Sequence, residues 1–274
     1  MSKISICMAT YNGEKYLKEQ IDSILAQSNQ EWELLIRDDG SHDNTVSIIK
    51  DYVGKYSNKI SLIEGDKSYL GASLNFGQLL EYANGEYIMF SDQDDVWLPN
   101  KIELTLIAMK SAEQLYPDKP LLVHTDLKVV DPNLNIIAES MWGYQKLFPE
   151  IGDNLSTMMA RNVVTGCATM INSKAKAVST PIPKEAVMYD WWIGISVAKH
   201  GKIIPVGAPS ILYRQHSDNV IGVQKMNILL LLKKVWSLRQ LISANYRMIK
   251  KAVPHASFAS LLLNKFLLKF HRPN

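Results

Sequence analysis

The first 115 residues alternate short apolar runs with longer segments of helical spacing, and this alternation constrains the fold more than any other feature of the chain. The apolar runs, which are typical of buried strands, lie at 3–9, 33–37, 60–64 and 86–90. The segments of helical spacing lie at 14–27, 43–56, 72–83 and 99–115. Strands joined by helices of this length form βαβ units, so we expect a Rossmann-like parallel sheet with helices on both faces.

After Pro120 the pattern changes and strands outnumber helices. The strands predicted in this half lie at 121–130, 134–138, 163–172, 203–206 and 211–214, and a helix is predicted over 189–200. Gly166, inside one of these runs, indicates a bulge or a close approach of the backbone. Because no linker-like stretch separates the two halves, we expect one mixed sheet that continues through both.

Composition limits the class of protein. The 274 residues are 47% apolar and 21% charged, as in ordinary soluble domains. Cys7 and Cys167 lie far apart in apolar surroundings, which favours buried thiols in a reducing compartment over a disulfide. We find no signal peptide and no run of 18 apolar residues, so we expect a cytoplasmic protein without a membrane-spanning helix.

The stretch Glu86–Pro99 places three carboxylates, Asp92, Asp94 and Asp95, directly after a predicted strand. In an open α/β sheet that position is the edge where ligands bind. Unpaired carboxylates about 4 Å apart repel by roughly 4 kcal/mol at an effective dielectric constant near 20. Mg²⁺ or Mn²⁺ would offset this repulsion and carry phosphates. The alternative is an acidic turn before a helix. The charge of Asp95 would then interact favourably with the N-terminal end of the helix dipole, but Asp92 and Asp94 fit that alternative poorly. We therefore favour a metal site.

Two further polar loops follow predicted strands at the same edge. The loop Ala9–Glu14 opens a helix, so its N–H groups can face an anion, and Tyr11 offers a ring on which a base can stack. The loop Arg37–Ser41 brings Asp38 and Asp39, which can accept hydrogen bonds from a nucleobase or ribose. Alternatively, Tyr11 packs on a neighbour and the acids form an Asx turn with the next glycine at positive φ. The convergence of three loops favours a nucleotide site, although neither G-x-G-x-x-G nor the P-loop motif occurs.

Three motifs of the chain occur in a recognisable order, TYNGEKYLKEQIDSILAQS, RDDGSHDNT and SDQDDVWLPNKI. Together they resemble family 2 glycosyltransferases of the GT-A fold, and most of all the bacterial rhamnosyltransferase branch. The resemblance covers residues 3–220. It implies a catalytic domain over 1–225, with a nucleotide-binding half at about 1–115 and an acceptor-side half at about 116–225.

By this resemblance, three segments hold the nucleotide. They are the loop after the first strand, the loop Arg37–Ser41, which we call the second acidic loop, and the D-x-D element Asp92–Asp94. Asp39 would contact the base. The segment Leu70–Asn75 resembles the family's LG-x-x-x-N element, a further loop on the nucleotide side. The nucleotide-binding residues implied are Ala9, Tyr11, Asn12, Glu14, Asp38, Asp39, Gly71, Asn75 and Asp92. Asp94 would ligate the Mn²⁺ or Mg²⁺ that bridges the donor diphosphate, and Asp92 would contact ribose or metal-bound water.

The resemblance also implies inversion at the anomeric carbon, with one carboxylate taking the proton of the acceptor hydroxyl. The family places this base at the start of a helix about 95 residues after D-x-D, which here is Asp190. Trp191 and Trp192 would raise its pKa by desolvation and offer a sugar-stacking face. The alternatives are an N-cap role for Asp190 and a place in the core for the tryptophans.

The late segment YRQH, Tyr213–His216, resembles the family's Y-R-x-H element. By this resemblance His216 is a further metal or diphosphate ligand, and Arg214 is a counter-charge for the leaving group. A lone histidine is more often structural than a ligand, and that is the alternative for His216.

The tail 226–274 contains nine Lys or Arg residues and no acid, whereas 1–225 carries 21 basic and 27 acidic residues. Its spacing predicts amphipathic helices over Met226–Lys251 and Phe258–Phe270. Such a basic pair favours peripheral contact with an anionic membrane at the inner face of the cell membrane. The alternative is a hairpin packed on the body or at a homodimer interface. Without an aromatic platform, we expect no nucleic acid partner.

The sequence therefore predicts an α/β GT-A protein, a mixed sheet flanked by helices with an amphipathic helical tail. We expect a metal-dependent inverting glycosyltransferase that moves a sugar from a nucleoside diphosphate donor to a glycan or lipid-linked acceptor in cell-surface polysaccharide synthesis. L-rhamnose from dTDP-L-rhamnose is the first choice, on the resemblance alone. The alternatives are transfer from a UDP-hexose and a non-catalytic module that binds nucleotide sugars or glycans.

Overall fold

The computed structural model describes residues 4–65, 69–216 and 231–268. Its strands, in chain order, are β1 (Ile4–Thr10), β2 (Trp32–Asp38), β3 (Ile60–Leu62), β4 (Tyr87–Ser91), β5 (Val96–Trp97), β6 (Leu121–Val130), β7 (Ile136–Ala138), β8 (Thr169–Asn172) and β9 (Lys202–Arg214). Its α-helices are α1 (Leu17–Leu25), α2 (Thr45–Lys55), α3 (Ala72–Tyr82), α4 (Lys101–Leu115), α5 (Met141–Gln145), α6 (Leu155–Ala160), α7 (Ser173–Ser179), α8 (Tyr189–His200), α9 (Leu231–Ala252) and α10 (Phe258–Leu267).

Within the described residues, the strands form one mixed sheet in the order β3-β2-β1-β4-β8-β6-β9-β5, and β7 pairs with β6. The first four strands in this order are mutually parallel. β8 runs antiparallel to both of its neighbours, β4 and β6. The βαβ half and the second half therefore share one sheet, as the sequence predicted.

Helices cover both faces of the sheet because successive strand residues point to opposite sides. Ile6 and Met8 of β1 belong to an apolar cluster with α1, α2 and α4. Cys7, between them, belongs to a second cluster with α3, α6 and α8. Near-continuous burial of β1 and β4 is the pattern expected of parallel strands covered on both faces.

The parallel pairing of β1, β2 and β4 fixes where their polar loops lie. Thr10 at the end of β1 is in register with Asp38 at the end of β2. Met8 of β1 is in register with Ser91, the last residue of β4. The loops that follow these strands therefore leave the sheet at a common edge.

Three predicted strands differ from the structure. In the segment 163–172, only Thr169–Asn172 is strand, because Gly166–Ala168 forms a 3-10 turn closed by the Thr169 hydroxyl on the Gly166 carbonyl at 2.7 Å. The segments 203–206 and 211–214 are parts of the single strand β9. Gly207 and Pro209 lie between them, and the continuous strand accommodates this stretch with shifts of register against β6.

The tail forms the two predicted helices, α9 and α10. The end of α9 packs on α8, and α10 packs on α6. Residues 226–230 and 269–270 of the predicted helices lie outside the described residues. Among the helices that the structure describes, none is both long enough and apolar enough to cross a membrane.

Gly201, which ends α8, is required by close backbone packing. A Cβ atom at this position would lie 1.7 Å from the Pro120 carbonyl oxygen. We expect Gly201→Ala to lower the free energy of unfolding by about 2 kcal/mol or more, because two backbone segments would have to separate. The measurement is urea denaturation.

Gly54→Ala in α2 is the matched control, since a Cβ atom there meets nothing within 4 Å. This change should raise stability by about 0.5 kcal/mol, the difference in helix propensity. Unchanged stability of Gly201→Ala would contradict the packing argument.

Candidate active site

A cavity of about 770 Å³ lies at the common edge of β1, β2 and β4. The residues proposed from the sequence that line it are Ala9, Tyr11, Asn12, Asp39, Asn75, Asp92, Asp94, Asp190 and His216. The structure thus brings together side chains from both halves of the chain. Glu14, Asp38, Gly71, Trp191, Trp192 and Arg214 are not part of this lining.

Asp38 forms the turn that the sequence offered as its alternative role. Its carboxylate accepts hydrogen bonds from the Thr10 hydroxyl at 2.9 Å and from the N–H groups of Gly40 at 3.0 Å and Ser41 at 2.8 Å. Gly40 has φ of +89°, which the turn requires. Glu14 has a similar local role, because its carboxylate accepts from the N–H and side-chain amide of Asn44. Both acids shape the loops rather than face the cavity.

Asp39 is buried and tied to the loop before α3. Its carboxylate accepts the N–H groups of Leu70 and Gly71 and a 3.0 Å hydrogen bond from the guanidinium of Arg37. The same guanidinium donates to Asn75 Oδ1 at 3.0 Å. Arg37 therefore joins the second acidic loop to α3, a role that the sequence did not indicate.

Gln93, the middle residue of the D-x-D element, links the acidic loop to the loop after β1. Its Oε1 accepts the Tyr11 N–H and its Nε2 donates to the Tyr11 carbonyl, each at 2.9 Å. This paired hydrogen bond fixes the distance between the two loops. A Cβ atom on Gly13 would come within 2.3 Å of Gln93 Oε1, so a larger residue there would displace the Gln93 amide from this pair.

Two tyrosines stand at the rim of the cavity. The ring of Tyr11 is 39% exposed and meets Tyr69 edge to face, with centroids 5.1 Å apart. Tyr69 is 67% exposed. The sequence singled out Tyr11 alone, because Tyr69 lies in a loop whose partner cannot be inferred from local pattern. The pair offers an aromatic surface for a planar ligand.

The acidic loop after β4 concentrates negative charge. Burial, and then the charges of Asp94 and Asp92, raises the pKa of Asp95 well above its usual range. Burial, and then the charges of Asp94 and Asp190, raises the pKa of Asp92 to about 7. Asp95 accepts the Arg214 N–H at 3.1 Å through Oδ1, while its buried Oδ2 has no hydrogen-bond partner among the described residues. Such shifts indicate carboxylates that would gain from a bound cation.

Arg214 does not face the cavity and instead holds the acidic loop by hydrogen bonds. Its side chain is 2% exposed, and its Nε donates to the Asp94 carbonyl at 2.8 Å. The other guanidinium nitrogens donate to Glu19 and to the Pro132 carbonyl, and the group lies 4.4 Å from the Tyr16 ring centroid. Its position is that of a scaffold for Asp94 and Asp95.

The donors at the cavity fit a hard divalent cation such as Mn²⁺ or Mg²⁺. Asp94 Oδ2 lies 2.8 Å from His216 Nε2, and both residues line the cavity with Asp92. Carboxylate oxygen and imidazole nitrogen are ligands that Mn²⁺ accepts. Asp92 also belongs to a second group with Asp95 and Cys167, whose ligand atoms lie within 4.8 Å of one another. Burial raises the pKa of the Cys167 thiol well above its usual range, so that thiol is a poor ligand.

Asp190 reaches the cavity from the first turn of α8. Asn162 Nδ2 donates to its Oδ1 at 3.1 Å, and the Gly166 N–H donates to its Oδ2 at 2.9 Å. Burial raises the pKa of Asp190 to about 6, and these hydrogen bonds, first that of Gly166, act in the opposite direction. The N-cap residue of α8 is Met188, so the N-cap alternative for Asp190 is wrong.

The two tryptophans after Asp190 point into the body of the protein. Trp191 Nε1 donates to the Met158 carbonyl at 2.7 Å, and Trp192 Nε1 donates to the Ser179 carbonyl at 2.8 Å. Trp191 belongs to the second apolar cluster and Trp192 packs against it. Both tryptophans therefore take the core position that the sequence offered as the alternative. Each buried indole N–H finds its hydrogen-bond acceptor in a distant part of the chain.

The far wall of the cavity comes from residues that the sequence did not single out. They are Met141, Gln145, Leu147, Asn162, Val163, Val164, Thr165, Val187 and Met188. Most lie in short helices and loops without a repeating pattern. No local feature marked them, since their role depends on tertiary packing alone.

Comparison with known proteins agrees with this geometry. Residues 5–116 match the family model Glycosyl transferase family 2. The chain is 27% identical over 221 residues to the dTDP-rhamnosyl transferase RfbG of Shigella flexneri, covering 78% of this chain and 73% of RfbG. It is 36% identical over 106 residues to the UDP-Glc:alpha-D-GlcNAc-diphosphoundecaprenol beta-1,3-glucosyltransferase WfgD of Escherichia coli. That alignment covers 39% of this chain and 40% of WfgD.

Solved structures show the same fold. TarS 1-349 of S. aureus in complex with UDP-GlcNAc superposes with a TM-score of 0.62 at 20% identity, covering 96% of this chain and 70% of TarS. The mannosyltransferase PcManGT of Pyrobaculum calidifontis, in complex with GDP-Man and Mn²⁺, gives a TM-score of 0.60 at 14% identity and covers 99% and 81%. The chain has the GT-A fold, and its first 116 residues contain the segment that matches the family 2 glycosyltransferase model.

The hydrogen bond from Asn162 should be visible in the titration of Asp190. We expect the Asp190 carboxyl carbon to titrate near pH 6 by NMR, because burial disfavours its charged form. Asn162→Ala removes a donor to the ionised carboxylate, so its pKa should rise further.

Asn154→Ala is the matched control. Asn154 caps α6 through the N–H groups of Ser156 and Thr157 and makes no hydrogen bond to Asp190. It should leave the titration unchanged. A pKa that stays the same or falls in Asn162→Ala would contradict the assigned contact.

Proposed function

We propose that this protein is a metal-dependent, inverting glycosyltransferase that moves a sugar from a nucleoside diphosphate donor to a glycan or lipid-linked acceptor. The observation that carries the proposal is that one cavity joins the pair Asp94 and His216 with the buried carboxylate of Asp190. Asp94 and His216 suit the binding of a diphosphate with its cation, and Asp190 can act as a proton acceptor. A transferase needs both within reach of one sugar.

The nucleotide would bind at the side of the cavity formed by the loops after β1 and β2. Tyr11 and Tyr69 offer an aromatic surface for the base. Asp39 lies behind them, held by Arg37 and by the N–H groups before α3. This arrangement supports the roles proposed for Tyr11, Asn12, Asp39 and Asn75, whereas Asp38, Glu14 and Gly71 would act by shaping the loops.

The metal would be held by Asp92, Asp94 and His216, and when bound it would offset the negative charge of the departing diphosphate. Arg214 would contribute by fixing the backbone of Asp94 rather than by touching phosphate. The raised pKa of Asp92 supports a cation at this point, since positive charge would favour its ionised form.

Asp190 would act as the general base. Its carboxylate would take the proton of the acceptor hydroxyl, the acceptor oxygen would bond to the anomeric carbon, and the bond to the diphosphate would break with its electron pair leaving on the diphosphate. A single displacement of this kind inverts the anomeric centre. With a pKa of about 6, the carboxylate is mostly ionised and ready to accept a proton at neutral pH.

L-rhamnose from dTDP-L-rhamnose is the donor we propose first. Its support is the 27% identity with RfbG, a dTDP-rhamnosyl transferase, along most of both chains. A UDP-hexose is the second candidate, supported by the shorter match to WfgD, which uses UDP-Glc. The acceptor in the name of WfgD is alpha-D-GlcNAc-diphosphoundecaprenol, which supports a lipid-linked sugar as acceptor in cell-surface polysaccharide synthesis.

We also propose a cytoplasmic position at the inner face of the cell membrane. The support is the basic tail 226–274, which contains no acid, and the two buried free thiols of Cys7 and Cys167. The position would bring the enzyme to a lipid-linked acceptor.

Calorimetric titration of dTDP, UDP and GDP, each with and without Mn²⁺ or Mg²⁺, tests the donor site. We expect metal-dependent binding, strongest for dTDP, and loss of the metal dependence in Asp94→Asn. If UDP binds most strongly, the proposed donor becomes a UDP-hexose in place of dTDP-L-rhamnose. Absence of binding by all three nucleotides with metal would contradict the D-x-D assignment.

Asp190→Asn tests the proposed base. It should lower the release of dTDP from dTDP-L-rhamnose by at least about 100-fold, as for loss of a general base, while dTDP affinity stays unchanged. Asp118→Asn, an exposed carboxylate paired with Lys174, is the matched control and should have no effect. Unchanged release in Asp190→Asn would contradict the role, and absence of nucleotide release by the unaltered protein from both dTDP-L-rhamnose and a UDP-hexose would favour a non-catalytic binding module.

A further inference from the structure

The helix α10 exposes an apolar face at the surface of the described part of the chain. Five large apolar side chains, 42–57% exposed, form it: Phe258, Leu262, Leu263, Phe266 and Leu267. Their spacing places them on one side of the helix. Leu261, on the other side, is 8% exposed. The apolar face is therefore turned away from the body.

The hairpin is held to the body by its other face, so the exposed face is not a consequence of a loose helix. Leu261 of α10 and Met248 and Ile249 of α9 belong to the apolar cluster that contains Trp191. Lys199 Nζ of α8 donates to the Ala252 carbonyl at the end of α9 at 3.0 Å. Tyr246 meets Phe258 edge to face with centroids 5.3 Å apart, which ties the two helices together.

Exposed cations lie on both helices of this hairpin. Arg247, Lys250, Lys251 and Lys265 are exposed, and the tail contains no acid that could pair with them. Apolar and basic side chains together match the interface of an anionic bilayer. A second copy of the chain docked by the same face would bring these cations together, which is unfavourable.

We propose that the exposed face of α10 enters the interfacial layer of an anionic lipid bilayer, with the cations of α9 and α10 at the lipid head groups. This inference deepens the peripheral position proposed above, since it assigns the surface and its orientation. It does not depend on which sugar is transferred.

The proposed surface is joined directly to the elements that hold the proposed base. α9 packs on α8, whose first turn carries Asp190. α10 packs on α6, which is followed by Asn162, a hydrogen-bond donor to Asp190. Docking of α10 would thus fix the height of the cavity above the bilayer, where a lipid-linked acceptor presents its sugar.

Cosedimentation with vesicles tests the proposal on the full chain. Vesicles of phosphatidylglycerol and phosphatidylcholine are compared with vesicles of phosphatidylcholine alone. We expect binding to the anionic vesicles, and about a tenfold or greater loss in the triple variant Leu262→Gln, Leu263→Gln, Phe266→Gln, because inserted apolar area drives interfacial binding. Lys250→Gln with Lys251→Gln should weaken binding to the anionic vesicles only.

The matched control is Ile107→Gln with Leu115→Gln on α4, which removes side chains 61% and 73% exposed elsewhere on the surface. It should bind as the unaltered protein does. Equal vesicle binding by the triple variant would overturn the proposal. Absence of binding by the unaltered protein would also overturn it.

Sedimentation velocity tests whether a second copy of the chain, and not a bilayer, occupies the exposed face of α10. A dimer that the triple variant abolishes would overturn the bilayer in favour of a second copy. The vesicle assay contains neither donor nor acceptor, and nucleotide titration of the same variants reports on the donor site. Failure of the membrane surface and failure of the proposed transferase are therefore separate results.

Discussion

The concentration of negative charge after β4 is the constraint on which the site depends. Three carboxylates within four residues repel one another, and burial in a low dielectric strengthens the repulsion. Arg214, brought by the last strand of the sheet, fixes this loop through the Asp94 carbonyl and the Asp95 carboxylate. Hydrogen bonds that involve charged groups contribute about 1.5–3 kcal/mol each. Arg214 thus fixes the position of the acidic loop, while the repulsion still raises the pKa values of Asp92 and Asp95, which a bound cation would reverse.

The same principle governs the second acidic loop. Arg37 is 3% exposed and bonds both Asp39 and Asn75, so a buried guanidinium again positions an acid at the cavity. Gln93 joins the acidic loop after β4 to the loop after β1 through the Tyr11 backbone, and Asp38 joins the second acidic loop to the Thr10 hydroxyl. The donor side of the cavity is therefore a connected set of polar contacts, in which the groups that face a ligand are few and their supports are many.

The acceptor side follows a different principle. Asp190 is held in apolar surroundings by two hydrogen bonds, and burial outweighs them, so that its pKa rises to about 6. Asp38, by contrast, is half-buried, and its carboxylate accepts hydrogen bonds from the N–H groups of Gly40 and Ser41, so it acts as an ordinary turn residue. Carboxylates of one chemical type thus acquire separate roles from their environments.

The sequence by itself determined the βαβ alternation and the shared edge of the polar loops, because each depends on periodicity or on neighbours within a few residues. The choice of Asp190 came from the resemblance of the motifs to a known family. Only the tertiary structure decided which polar side chains face the cavity and which are bound by neighbours. Gln93 reaches Tyr11 across 82 residues and Asn162 reaches Asp190 across 28, so no local pattern could indicate them. Arg214, Trp191 and Trp192 turned inward for the same reason, since the buried acceptors for their N–H groups come from distant strands and helices.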